Sequence, residues 1–119
     1  MSQEPNEVKF PAPTEEEMTK FKASFGKIFR VALSLDEVFY IRRVKRIEYK
    51  RILEVVSKAD PAVREDLLNE KLLETAVVWS VPKIDNAFYT ESGAGIIPTV
   101  AVQIMEQSGF TNRIAVDEV

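Results

Sequence analysis

Apolar positions along this chain change period several times, and each change marks an element. Thr14-Glu15-Glu16-Glu17 fits the capping box, in which the threonine hydroxyl accepts from the third helical N–H and Glu17 reaches back to the cap. Met18, Phe21 and Phe25 then recur at helical spacing, the glutamates of the first turn complement the helix dipole, and Gly26 stops the helix. From Lys27 to Val44 the period becomes alternating. Phe29, Val31 and Leu33 share one face, and Val38-Phe39-Tyr40-Ile41 is a β-branched and aromatic run, with Leu35-Asp36-Glu37 as a short polar turn between them. This predicts a β-hairpin, although the turn lacks an Asn-Gly or Asp-Gly pair. One continuous helix over residues 14–58 is the competing reading. A lone hairpin is marginal in water, so it must pack on helices or pair with another chain.

Helical spacing returns over Lys45–Lys58 through Ile47, Ile52, Leu53, Val55 and Val56, with Glu48 expected to pair one turn along, with Arg51 or the neighbours of Ile52. Asp60-Pro61 supplies a cap and a first-turn proline for a helix running to about Trp79 or Ser80, with Leu68, Leu72, Ala76 and Trp79 in one row, ended by Val81-Pro82. Residues 82–96 read as an irregular connection held to the core by Phe88 and Tyr89. A glycine-rich approach then leads to Pro98 at the first helical position, and the helix places Ile97, Val100, Ala101, Ile104 and Met105 on one face before Gly109 closes it. The expected fold is α+β, mainly helical, with one β-hairpin at about residues 27–44 packed by about four short helices. Residues 14–110 form a single domain, preceded by an extended proline-containing arm (1–13), in which Val8 and Phe10 alternate, and followed by a polar tail (111–119) in which Ile114 and Val116 suit strand-like contacts.

Composition narrows the chemistry. At 119 residues the chain is long enough for one core without cross-links. It has no cysteine and no histidine, which removes disulfides, thiolate and imidazole ligands, and the commonest general base. No catalytic set, cofactor site or metal site is expected. The net charge of −3 argues against indiscriminate binding to nucleic acid or anionic membrane. The acidic start lacks the features of a signal peptide, and no apolar run approaches a membrane span. One stretch opposes the acidic mean: Arg42, Arg43, Lys45, Arg46, Lys50 and Arg51 lie within ten residues, beside Tyr40 and Tyr49. It is the candidate polyanion site. A solvated face, or a patch matched to acidic groups such as Glu15-Glu16-Glu17, is the simpler reading. The helix start after Gly93-Ala94-Gly95 lacks the lysine of a phosphate loop and the third glycine of a dinucleotide fingerprint.

Taken in order, Phe25-Gly26-Lys27-Ile28-Phe29-Arg30-Val31, Val38-Phe39-Tyr40-Ile41-Arg42-Arg43-Val44, Ile47-Glu48-Tyr49-Lys50-Arg51-Ile52-Leu53, Trp79-Ser80-Val81-Pro82 and Ala94-Gly95-Ile96-Ile97-Pro98 with Ser108-Gly109-Phe110 resemble small tail-assembly chaperone or baseplate-associated proteins of tailed bacteriophages. Lys45 stands where the pattern has a threonine or serine cap. The resemblance implies a non-enzymatic protein that binds other phage tail proteins, the tape measure, baseplate or hub subunits, or copies of itself. It also implies a place in the host cytoplasm during assembly, or in the virion tail. On that reading Phe10, Phe39, Tyr40, Ile41, Val100, Ile104 and Met105 are the expected partner-binding residues, from the arm, the hairpin and the Pro98 helix.

Overall fold

The computed structural model describes residues 9–110 and 116–119. Within them the chain forms α1 (Glu15–Phe25), β1 (Ile28–Ser34), β2 (Glu37–Arg42), α2 (Arg46–Ser57), a 3-10 turn (Pro61–Val63), α3 (Arg64–Ala76), β3 (Val77–Val81), α4 (Asn86–Glu91) and α5 (Ile96–Gln107). The architecture is α+β and mainly helical. The hairpin is present and the continuous helix over 14–58 is not, because Gly26 leaves α1 at φ +81° and the alternating run beyond it pairs as strands. Thr14 and Glu17 cap α1 reciprocally, at 3.1 Å for the Glu17 N–H to the threonine hydroxyl and 2.9 Å for the Thr14 N–H to the carboxylate.

Three expectations are corrected. The helix expected to reach Trp79 or Ser80 ends at Ala76, and Val77–Val81 instead makes a third strand, so the hairpin grows into an antiparallel sheet of order β1-β2-β3. Local sequence was ambiguous there: Trp79 continues the helical row of Leu72 and Ala76, but β-branched Val77, Val78 and Val81 suit a strand once β2 offers its free edge. Residues 82–96 are not wholly irregular, because Asp85 accepts from the Phe88 N–H at 3.0 Å and caps the short helix α4. Pro98 lies in the first turn of α5 rather than at its first position, where the helix still has no internal acceptors for its N–H groups and a missing donor costs nothing.

Alternation sorts the strand side chains into two faces. Phe39 and Ile41 of β2, with Phe29 and Val31 opposite them on β1, look toward the helices. There they meet Val44, Ile52 and Val56, Leu72, Leu73 and Ala76, Phe88, and Val100, Ala101 and Ile104 in one core. Phe39 and Phe88 meet edge to face with centroids 5.9 Å apart. The other face carries Val38, Tyr40 and Arg42, flanked by Ile28, Arg30 and Ala32 on β1 and by Trp79 and Val81 on β3. A register shift between Tyr40 and Ile41 leaves Val78 as the extra residue of a bulge in β3. At the far end, Gly109 adopts φ +103° and Phe110 donates to the Met105 carbonyl at 2.9 Å, closing α5 as its glycine predicted.

Leu73 of α3 is fully enclosed in the core, so Leu73→Ala should cost about 3 kcal/mol through lost burial and the cavity left behind. Val102→Ala, on the solvent side of α5, should stay within about 0.5 kcal/mol of wild type. Urea unfolding of the two variants checks both values.

Candidate partner-binding surfaces and the basic stretch

The residues expected to bind partners divide sharply by burial. Phe39, Ile41, Val100 and Ile104 have no exposed surface and Tyr40 has 7 %, so the fold uses these side chains for its own core and sheet face. They are withdrawn as partner contacts. The spacing that nominated them signals only that a face is covered, and here the cover is intramolecular. Met105 is half-buried beside the core. Phe10, in the described part of the arm, is half-buried with the Arg30 guanidinium 4.8 Å from its ring centre. Val8 and Ile114 lie outside the described residues, and Val116 is exposed.

The basic stretch does not act as one patch. Arg43, Lys45, Arg46, Lys50 and Arg51 are exposed, whereas Arg42 is 8 % exposed and already bound. Its guanidinium donates through Nη1 to Glu48 Oε1 at 2.9 Å and through Nη2 to Glu48 Oε2 at 2.8 Å, a fork-to-fork pair. Nη1 also donates to the Arg43 carbonyl at 3.0 Å, and the Phe25 ring at the end of α1 lies 4.8 Å from the guanidinium carbon. Glu48 therefore pairs back to Arg42 rather than forward to Arg51. The same carboxylate accepts from the Lys45 N–H at 2.8 Å, which supplies the reach-back half of a capping box. Lysine has no acceptor to supply the other half. No ion pair joins the basic stretch to Glu15-Glu16-Glu17 among the described residues, where the pairs are Arg42–Glu48 and Lys71–Glu74.

Two segments far apart in sequence meet around this pair. The Ser108 hydroxyl accepts from the Val44 N–H at 2.8 Å, and the rings of Phe110 and Tyr49 sit 4.8 Å apart. The end of α5 thus clasps the β2–α2 junction. Ser108-Gly109-Phe110 and Glu48-Tyr49 stood out in the sequence as separate helix signals, and nothing in their spacing revealed that they touch.

Sequence reading also missed a groove of about 620 Å³ beside β3. Val77, Val78, Trp79 and Ser80 line it in succession. Side chains of a strand alternate between faces, so a groove touched by four consecutive residues runs along the strand edge. Its other walls come from Leu73 and Glu74 at the end of α3 and from Ile84, Asp85 and Tyr89 around α4, with Lys83 between. The Tyr89 hydroxyl is shut off from solvent and has no hydrogen-bond partner. Burial, reinforced by the Glu74 and Glu70 carboxylates, pushes its pKa up to about 12, so it stays a neutral phenol at physiological pH.

Both ionisable groups give testable pH dependences. The Arg42 hydrogen bonds, against an opposing contribution from burial and with help from the Lys45 N–H, hold Glu48 down at about 2, below the ordinary 4.5. Stability from this pair is complete above pH 4.5 and is lost as pH falls from there toward 2. Glu48→Gln should cost about 2 kcal/mol at neutral pH, by leaving Arg42 enclosed without its counter-ion, and should flatten that acid limb in urea titrations from pH 2 to 7. Tyr89 has the opposite slope, its contribution being complete below pH 10 and lost as pH rises toward 12. Tyr89→Phe removes an unmatched hydroxyl, so it should be neutral or stabilising by about 1 kcal/mol, and denaturation at pH 8–11 should show less alkaline loss than wild type.

Comparison of the chain with protein-family models, with curated proteins and with solved structures finds no match to any of them.

Proposed function

We propose that this protein is a non-enzymatic assembly protein that works through protein–protein contacts, and that its setting is the tail of a bacteriophage, bound to tape-measure, baseplate or hub subunits. The observation that carries the reading is α1. Met18, Phe21 and Phe25 form a helical row, yet no residue of α1 is buried and Phe25 is 45 % exposed. A helix of this length is marginal in water on its own and gains stability by covering an apolar face. Its main neighbour is the edge strand β1, with Phe25 against Arg42. A partner that covers Met18 and Phe21 would supply the burial that the chain itself does not. The phage setting rests on the resemblance of the short motifs between residues 25 and 110 to tail-assembly proteins.

The alternative, a nucleic-acid-binding or regulatory module using Arg42, Arg43, Lys45, Arg46, Lys50 and Arg51, keeps five exposed cations. It loses Arg42, whose charge is matched by Glu48. Ionic strength separates the two readings, because phosphate contacts weaken steeply with salt and apolar contacts do not.

Light scattering of the purified protein, alone and mixed with phage or host lysate fractions at low and high salt, should show a protein complex that survives high salt. Phe21→Glu should abolish that complex while costing no more than about 1 kcal/mol in urea unfolding, since Phe21 is half-buried and no residue of α1 is fully buried. A monomer that gathers nucleic acid at low salt and releases it at high salt would overturn the assembly reading.

A further inference from the structure

The sheet ends at β3 with one edge unpaired, and we propose that this edge accepts an extended segment of a partner protein as a fourth strand, one that is apolar on one side and carries lysine or arginine on the other. The site rests on the assembly reading, but it is separate from α1. Its first support is geometry. In the order β1-β2-β3, β2 takes one edge of β3, and the groove occupies the other. Four consecutive residues of β3 line that groove, so main-chain N–H and C=O groups border it as well as side chains. Val77–Val81 contains no proline and no charge, the usual devices by which an edge strand repels added strands. The bulge at Val78 and the short length of β3 are such devices, but Trp79–Val81 stay in register with β2.

The second support is the chemistry of the walls. A strand laid along β3 would pack its core-facing side on Val77 and Ile84, an apolar floor, while Trp79 stands on the opposite face of the sheet. Glu74, just before β3, and Asp85, just after it, both line the groove, two carboxylates against the single ammonium of Lys83. Glu74 does meet Lys71, but at 3.4 Å and on an exposed surface, which leaves the carboxylate open to a second cation. Asp85 caps α4 through Oδ1, and a carboxylate has further acceptor sites. Main-chain bonds would give such a contact its affinity, and the apolar floor with its acidic lining would give it selectivity. The Tyr89 hydroxyl plays no part, being closed off behind the wall.

Trp79 is the chain's one tryptophan, so its fluorescence reports occupancy of the groove directly. The probe is a capped hexapeptide alternating valine and lysine, titrated into the full-length protein. Three controls accompany it: the same peptide with glutamate for lysine, a version with alternate backbone nitrogens methylated, and the Glu74→Lys protein. A saturable Trp79 response to the lysine peptide is expected. It should weaken about fivefold in Glu74→Lys, whose substitution is at a solvent-exposed helix position, and to a similar degree or more with the glutamate peptide. Backbone methylation should weaken it about thirtyfold, as loss of two main-chain hydrogen bonds requires. A silent Trp79 up to millimolar peptide would overturn the proposal, and so would equal binding of the methylated peptide. A free protein that is already dimeric by light scattering, with Trp79 unresponsive to peptide, would overturn it too. Because Phe21 is remote from these residues in sequence and does not line the groove, Phe21→Glu should leave the peptide response intact, so the strand site and the α1 surface can fail separately.

Discussion

Arg42 is the group on which the arrangement of the N-terminal half depends. It stands at the last position of β2, on the face of the sheet away from the main core, and it is nearly enclosed. An unmatched guanidinium there would be costly, so its counter-ion has to come to it. Glu48, one turn into α2, meets it with both carboxylate oxygens and at the same time caps its own helix through the Lys45 N–H. The direction in which α2 leaves the sheet is tied to this double duty. Phe25 adds the end of α1 to the same charge, so one side chain links three elements. Its net contribution to stability is small compared with that of the hydrophobic core, because the desolvation of both ions offsets much of their attraction.

The core works by a different logic. Phe39 and Ile41 gather residues from α2, α3, α4 and α5 on one face of β2, and α5 is locked at its end by Ser108 on the Val44 N–H and by Phe110 on Tyr49. These contacts are long-range in sequence and close the domain around the sheet. They do not reach α1, whose apolar row is left half-covered, nor the outer edge of β3. The same chain therefore joins a well-packed centre to two incompletely satisfied margins. The proposed assembly reading rests on that contrast, since α1 buries none of its residues and β3 is paired on one side alone.

The fate of the expected partner residues makes the same point. Hydrophobic periodicity singled out Val100 and Ile104 because they form a stripe, and a stripe must be buried against something. It carries no information on whether that something is the same chain or another. In α5 it is the sheet and α3; in α1 the stripe finds no comparable cover. Burial alone separates the two cases, and burial belongs to the assembled fold.

What the sequence determined by itself was everything decided within a few residues. The reciprocal cap at Thr14 and Glu17, the stop at Gly26, the Asp60-Pro61 turn and the glycine closure of α5 all follow from local hydrogen bonding and allowed φ values, whereas the alternation from Ile28 to Arg42 left a continuous helix as a competitor until the strands paired. The α+β class followed from the switch between the two periods. Tertiary structure decided where local preference was balanced. Val77–Val81 became a strand because β2 had a free edge to pair with, although the apolar row through Ala76 and Trp79 fits a helix as well. It also chose Arg42 over Arg51 as the partner of Glu48, since the pair forms across an element boundary where periodicity has no reach. The groove beside β3 was invisible for the same reason: it is made by α3, β3 and α4 coming together, and no spacing along the chain encodes that meeting.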